Sequence, residues 1–331
     1  MGGSPAQCAA DCAATRKSRN YEDTDRRIMA KPILPKSMTP TTPAGKASAA
    51  FLVAKCREVL TYAPVAVAGD PDGVHDMRVG VKRLREALRL FRRLLPRRKR
   101  VRAMGLVEEL NDTLGRGRDL DVLDGNAQWL LGQAPAAEEK LAGLREAWQE
   151  QRKIAQEDLV KLWRRLRQGE RLQAEVARLA LATRKRDRPL NRLPLENYAY
   201  LTIRARAVQV ADRIPRLRKR TDPATLHLLR LSVKRLKYTM EPFLRAVPSL
   251  AGAYRVVTEA QEAAGLTHDL DVLEAEVTAH LRESDSLRTR VAQTALKVLR
   301  ERRAELYQVC RERMEELARE DWRRALLDAM D

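Results

Sequence analysis

The sequence predicts an all-α protein, and three observations predict it. Apolar residues recur at three- and four-residue spacing through almost every segment after Gly45, which is the period of a helix buried along one face. The composition is rich in Ala, Leu, Arg and Glu, with 44% hydrophobic and 33% charged residues, which favours helices and argues against general disorder. No run alternates with the two-residue period of a strand. At 331 residues the chain is long enough to bury a substantial core.

Taken in order, residues 1–45 read as a disordered tail, because Pro, Thr, Ser and Ala occur there without any period. This tail holds Cys8 and Cys12, whose neighbourhood lacks a companion His or Cys, so the expectation is two incidental thiols rather than a metal or redox pair. From residue 46 onward, Pro and Gly clusters near 64–73, 132–135, 189–194 and 215–223 divide the helical pattern. The longest helix candidates are 136–168 and 286–319. With Cys56 and Cys310 the chain has four cysteines, too few for a disulfide framework and in no zinc spacing. No apolar run approaches the ~20 residues of a membrane span, and no signal-peptide core is present. The expected compartment is cytoplasmic, with no membrane partner.

Charge is the second theme. There are 64 Lys+Arg against 45 Asp+Glu, a formal charge of +19. The tail carries only +3 of this, so the basic character belongs to residues 46–331. A surplus of that size points to a polyanionic partner.

An internal repeat shows where the charge is organised. Residues 70–96 align with 222–248 at an offset of 152, with 11 of 27 positions identical, among them His75/His227, Arg78/Arg230, Lys82/Lys234 and Arg83/Arg235. A second block aligns 106–123 with 256–273 at an offset of 150, sharing Gly115/Gly265 and the pairs Asp119/Asp269 and Asp121/Asp271. Two blocks in the same order imply a duplicated helical unit, with halves of about 46–188 and 195–331.

Each first block opens with Asp-Pro, an N-cap followed by the residue best tolerated at the first helical position. Stepping about 100° per residue from His75, the residues Arg78, Lys82, Arg85, Arg89 and Arg93 fall on one cationic stripe. Met77, Gly80, Val81, Leu84, Ala87, Leu88, Phe91, Leu94 and Leu95 fall opposite, on the expected core face. His227, Arg230, Lys234 and Lys237 repeat the stripe, against Leu229, Ser232, Val233, Leu236, Met240 and Phe243. A solvated helix face ordinarily alternates acids with bases. The stripe read as His75, Arg78, Lys82, Arg85 and Arg89 is uniformly basic, and an anion is its natural complement.

At His75-x-x-Arg78-Val-x-Val-Lys82-Arg83-Leu84-Arg85, echoed by His227-x-x-Arg230-Leu-x-Val-Lys234-Arg235-Leu236-Lys237, the sequence closely resembles the CHAD family, the conserved histidine α-helical domain. The Gly115-Arg116-x-Arg118-Asp119-x-Asp121-Val-Leu block resembles that family's second signature. The resemblance implies a duplicated pair of four-helix units related by a pseudo-twofold, with basic helices lining a central cleft that binds inorganic polyphosphate. It also allows association with storage granules. Many relatives carry a CYTH domain marked by Glu-x-Glu-x-Lys; that motif is absent and the tail is short, so the expectation is a stand-alone member without catalysis or cofactor.

Carried over residue by residue, the expected polyphosphate ligands are His75, Arg78, Lys82, Arg83, Arg85, Arg89, Arg116, Arg118, His227, Arg230, Lys234, Arg235 and Lys237. A bare phosphate chain suits a sequence with 4% aromatic residues, because single-stranded nucleic acid is commonly held by base stacking. Nucleic-acid binding is the nearest alternative. A metal-dependent phosphohydrolase stands further off: His75-Asp76 and His268-Asp269 invite that reading, but neither dyad recurs in the repeat. The Asp119/Asp121 and Asp269/Asp271 pairs are expected to cap helices and orient Arg side chains, with divalent-ion binding as the alternative. The stretch Arg184-Lys185-Arg186-Asp187-Arg188 is expected to be solvated. Arg89, Arg92, Arg116 and Arg118 become Glu241, Leu244, Leu266 and His268 in the second copy, so the first half is expected to carry more of the anion. Pro242 is expected to kink its helix after Met240 or Glu241.

Overall fold

The computed structural model describes residues 33–35, 38–215 and 223–330. The described chain is helical, in the order α1 (Ala44–Val67), α2 (Pro71–Leu90), α3 (Arg97–Gln133), α4 (Glu138–Arg165), α5 (Glu170–Arg184), α6 (Pro189–Arg192), α7 (Leu195–Ala211), α8 (Pro223–Met240), α9 (Ala251–Glu283), α10 (Arg290–Ala318) and α11 (Glu320–Asp328). Short 3-10 turns occupy Pro135–Ala137, Glu241–Phe243 and Pro248–Leu250. Among the described residues no helix is long and apolar enough to cross a membrane.

Local chemistry sets several boundaries. The Asp70 carboxylate accepts a hydrogen bond from the Gly73 amide at 2.7 Å, capping α2 ahead of Pro71. Its counterpart Asp222 lies outside the described residues. Pro64 sits inside α1, which ends instead at Ala68 and Gly69, the glycine taking φ of 95°. Between α4 and α5, Arg167, Gln168 and Gly169 all take left-handed backbone conformations, and a Cβ on Gly169 would stand 2.4 Å from Leu60. α8 gives way to a 3-10 turn after Met240, as Pro242 requires.

The longest helices are α3, with 37 residues, and α9, with 33, rather than the expected 136–168 and 286–319. Gly105, Gly115, Gly117, Gly125 and Gly132 blur the apolar period of α3, but both faces of that helix are packed, and tertiary burial outweighs the glycine cost. α2 ends at Leu90, so Arg93 lies beyond the helix and off the stripe. Order also begins before residue 46. The Ile33 amide donates to Glu58 Oε2 at 3.1 Å, Leu34 packs on the core and Met38 is buried. The disorder expected for residues 1–32, together with Cys8 and Cys12, falls outside the described residues.

The two halves meet through like positions. Phe91 and Phe243, counterparts in the repeat, stack edge-to-face with ring centroids 6.3 Å apart, and Phe51 and Tyr198 complete the aromatic cluster. The segments entering α1 and α7 are clipped together: Ala44 N donates to Leu193 O at 2.8 Å and Leu195 N to Thr42 O at 3.0 Å. Beyond the four helices in each unit that the resemblance implies, the described residues include α5, with 15 residues, and the short α11, with 9.

The apolar interior forms two blocks. The larger takes in α1, α2, α5, α7, α8, α11, the first parts of α3 and α9 and the last parts of α4 and α10. The smaller joins the remaining parts of those four long helices, around Leu130, Trp148, Leu273 and Leu299. Cys56 and Cys310 are buried, and desolvation pushes both thiols up to about 12, which leaves them unreactive.

Candidate anion-binding site

The four long helices pass from one apolar block to the other through a polar layer. In α3 the layer holds Gly115 to Asp121, between Leu114 and Leu123; in α9 it holds Gly265 to Asp269, between Ala264 and Leu270. α4 contributes Arg152 and α10 contributes Arg303. Arg152 Nε donates to Asp121 Oδ1 and Arg303 Nε to Asp271 Oδ1, both at 2.7 Å. These pairs sit at equivalent places in the two copies and tie each hairpin across the layer. Asp121 and Asp271 lie in mid-helix, so they cap nothing; they orient arginines.

α2 and α8 bring their cationic faces to this layer. Lys82 stands among Lys234, Arg78 and Arg230, and Lys234 among Arg230, Arg78 and Arg85, so the two stripes merge. Arg118 of α3 acts on both His75 of α2 and Asp269 of α9, which closes the cluster. His227 and His268 lie with ring centroids 5.1 Å apart beside Arg230.

The electrostatics are those of a desolvated, under-neutralised cationic site. Burial and then the neighbouring Lys234, Arg78 and Arg230 push Lys82 down to about 6, with Asp119 opposing. Burial and Arg230 lower Lys234 to about 8. Burial, Arg118 and Lys82 lower His75 to about 4. Asp269 is raised to about 6 because its desolvation outweighs the attraction of Arg230 and Arg118. Arg78 Nη2 binds Asp119 Oδ1 at 2.7 Å. The Nε atoms of Arg78 and Arg230 are both buried and lack a hydrogen-bond partner, an orphaned donor at the same position of each copy.

Not every expected ligand joins the cluster. Arg83 is enclosed in a quartet: Nη1 meets Glu58 Oε1 at 2.6 Å and Nε meets Glu241 Oε2 at 3.0 Å, while Lys55 meets the same two acids at 2.9 and 3.4 Å. All four side chains are 5% exposed or less. Lys237 is buried too, donating to Gln261 at 2.8 Å. Arg83 is covered by α1 and the turn after α8, and Lys237 by α9. Arg116 is exposed and paired with Asp158 at 3.2 Å. Arg235 is exposed. Arg85 and Arg89 flank Glu86, which takes contacts at 3.4 and 3.0 Å, so the stripe contains an acid after all. Glu86 falls about 20° from His75 on the helical wheel, a position the sequence displays and the uniformly basic reading passed over. Arg152 and Arg303 were also missed, although their offset of 151 matches the repeat. Among the described residues no group of three or more His, Cys, Asp or Glu converges as a metal site.

A family model, the CHAD domain, matches residues 51–274, more than half of the chain. The chain belongs to the CHAD family. The CHAD domain of the plant Ricinus communis is similar to it in structure, with a TM-score of 0.65, 21% identity, and 87% of this chain and 96% of that one covered. PptA from Streptomyces chartreusis is also similar in structure, with a TM-score of 0.58 and 17% identity, covering 87% of this chain and 99% of that one. At these identities the likeness is one of CHAD fold. No curated protein matches the sequence. Within the CHAD match lie both cationic helices and both signature blocks, while α10 with Arg303 lies beyond it.

Proposed function

We propose that the protein binds inorganic polyphosphate, without catalysis, in the polar layer where the two cationic helices meet. The observation that carries this reading is the crowding of Arg78, Lys82, Arg118, Arg230 and Lys234 in a desolvated layer, where burial and then the neighbouring cations hold Lys82 near 6 and the Nε donors of Arg78 and Arg230 go unpaired. Like charges in a desolvated layer repel, and a polyanion both neutralises them and accepts the orphaned hydrogen bonds. Arg supplies a planar fork for phosphate oxygens and Lys a mobile point charge.

A bare phosphate chain fits better than nucleic acid. Trp148, Trp163, Trp322 and the three phenylalanines are buried in the apolar blocks, which withholds them from stacking on bases. The test is competition of defined-length polyphosphate against single- and double-stranded DNA of matched charge at near-physiological salt. Polyphosphate is expected to win clearly; equal displacement by DNA would favour the nucleic-acid reading.

A further inference from the structure

A pocket of about 400 Å³ opens beside the first turns of α1, lined by Met38, Thr42, Lys46, Ala47, Ala50 and Arg184. It is separate from the central cluster. Gly80, between Arg78 and Lys82 on α2, closely approaches Val59 of α1, and Val59 is twelve residues beyond Ala47. At the rise of an α-helix the pocket is therefore offset by about 18 Å along α1 from the level of that cluster. Three elements build its walls. α1 supplies Lys46, Ala47 and Ala50, α5 supplies Arg184 from its last turn, and the segment ahead of α1 supplies Met38 and Thr42. α5 is anchored by Leu172, Val176, Leu179 and Ala180, all buried. The segment ahead of α1 is pinned as well: Thr42 Oγ1 accepts the Thr39 amide at 2.9 Å, Leu195 N donates to Thr42 O at 3.0 Å and Glu196 N to Pro40 O at 3.1 Å. The walls are thus set before any ligand arrives, and the volume is that of a small-molecule site.

The lining divides into an apolar floor and a charged rim. Met38 and Ala47 are buried and Ala50 is half-buried, giving a floor of methyl groups. Lys46 and Arg184 stand exposed, and among the described residues neither forms an ion pair. The first turn of α1 carries no acid and Pro43 gives no side-chain cap, so the helix end adds to the positive potential. Pro43 pairs with Pro194 across the clip between the halves, 151 positions further on. At that offset Lys46 and Ala50 become Asn197 and Leu201, so the second copy has neither the cation nor the small side chain.

We propose that this pocket binds a small amphiphilic carboxylate, its head between Lys46 and Arg184 and its short apolar body on Met38, Ala47 and Ala50. The Arg184 guanidinium offers the planar fork that matches a carboxylate, and Lys46 adds a second charge. A methyl floor rewards an alkyl body by removing it from water and gives nothing to a bare phosphate chain. The site is therefore independent of the polyphosphate reading.

The test follows the methionine methyl signals of the isotope-labelled full chain by NMR, with Met38 assigned through Met38→Leu and octanoate as the probe. Octanoate is expected to shift the Met38 signal saturably at millimolar concentration or below. Acetate, which lacks the body, and octanol, which lacks the charge, are expected to bind clearly more weakly. Lys46→Gln/Arg184→Gln is expected to weaken octanoate about tenfold. Ala50→Leu, which fills the floor and leaves both cations in place, is expected to weaken it as well. Thermal melts of both variants are expected to match the parent, because the two cations are exposed and leucine already stands at the matching position of α7. The absence of a saturable Met38 shift with octanoate overturns the proposal. So does octanol binding as tightly as octanoate, or an unchanged octanoate affinity in the Lys46→Gln/Arg184→Gln protein.

Discussion

Lys82 lies beside Lys234, its own counterpart 152 residues further along the chain. Neither amine has a carboxylate in ion-pair contact among the described residues, and burial with mutual repulsion places Lys82 near 6 and Lys234 near 8.

If the cluster binds polyphosphate as proposed, this pairing makes the binding proton-linked. In the empty protein Lys82 is largely neutral at pH 7.5; a bound polyanion stabilises its charged form, so binding takes up a proton. Asp269, near 6, becomes anionic over the same range and opposes phosphate. Both effects have one sign: affinity falls as pH rises above about 6. Calorimetry in buffers of different ionisation enthalpy is expected to show uptake of about one proton at pH 7.5, and Lys82→Arg is expected to remove most of it while binding persists. A pH-independent affinity would contradict the arrangement.

The orphaned Nε donors predict which arginines matter. Arg78→Gln and Arg230→Gln should each weaken polyphosphate binding about tenfold and reduce the salt slope by roughly one. Arg116→Gln should change little, because that side chain is 61% exposed and engaged with Asp158. Lys237→Gln should lower stability more than affinity, since Lys237 is buried against Gln261. Affinity titrations at several salt concentrations separate these outcomes.

The quartet predicts a stability effect distinct from binding. Glu241→Gln removes one of the two carboxylates that Arg83 and Lys55 share in a site closed to water, and breaking a buried pair in this way costs about 3–5 kcal/mol. Urea unfolding is expected to show a lower midpoint with an unchanged slope. Glu58→Gln should cost at least as much, because Glu58 also accepts the Ile33 amide.

The non-catalytic reading has its own check. The purified protein is expected to leave polyphosphate and nucleotides intact in the presence of Mg²⁺ or Mn²⁺. Hydrolysis abolished by Asp119→Ala or His268→Ala would make it an enzyme.

Much of the fold was legible because periodicity and caps are local. The Asp70 cap, the core face of α2 and the counterpart face of α8 are all as the spacing indicates. The lengths of α3 and α9 were not, since helices packed on several sides lose the amphipathic signal. At the site, the convergence of the two stripes follows from the repeat, but the fate of Arg83 does not. Its position on the wheel is that of a ligand's neighbour, and only the approach of Glu58 from α1 and Glu241 from beyond α8 turns it inward. Identical residues in a duplicated unit acquire separate duties once the acids around them diverge.

The polar layer also divides the labour of folding. Because each long helix crosses from one oily block to the other through a charged belt, the two blocks share little apolar surface through which to melt together. The small block, resting on four helix ends, has reason to breathe on its own schedule, visible as a class of amides exchanging faster than those of the large block. A phosphate chain threaded into the belt would act as mortar between them, and the ligand's mark on the protein would then be the merging of two exchange regimes into one.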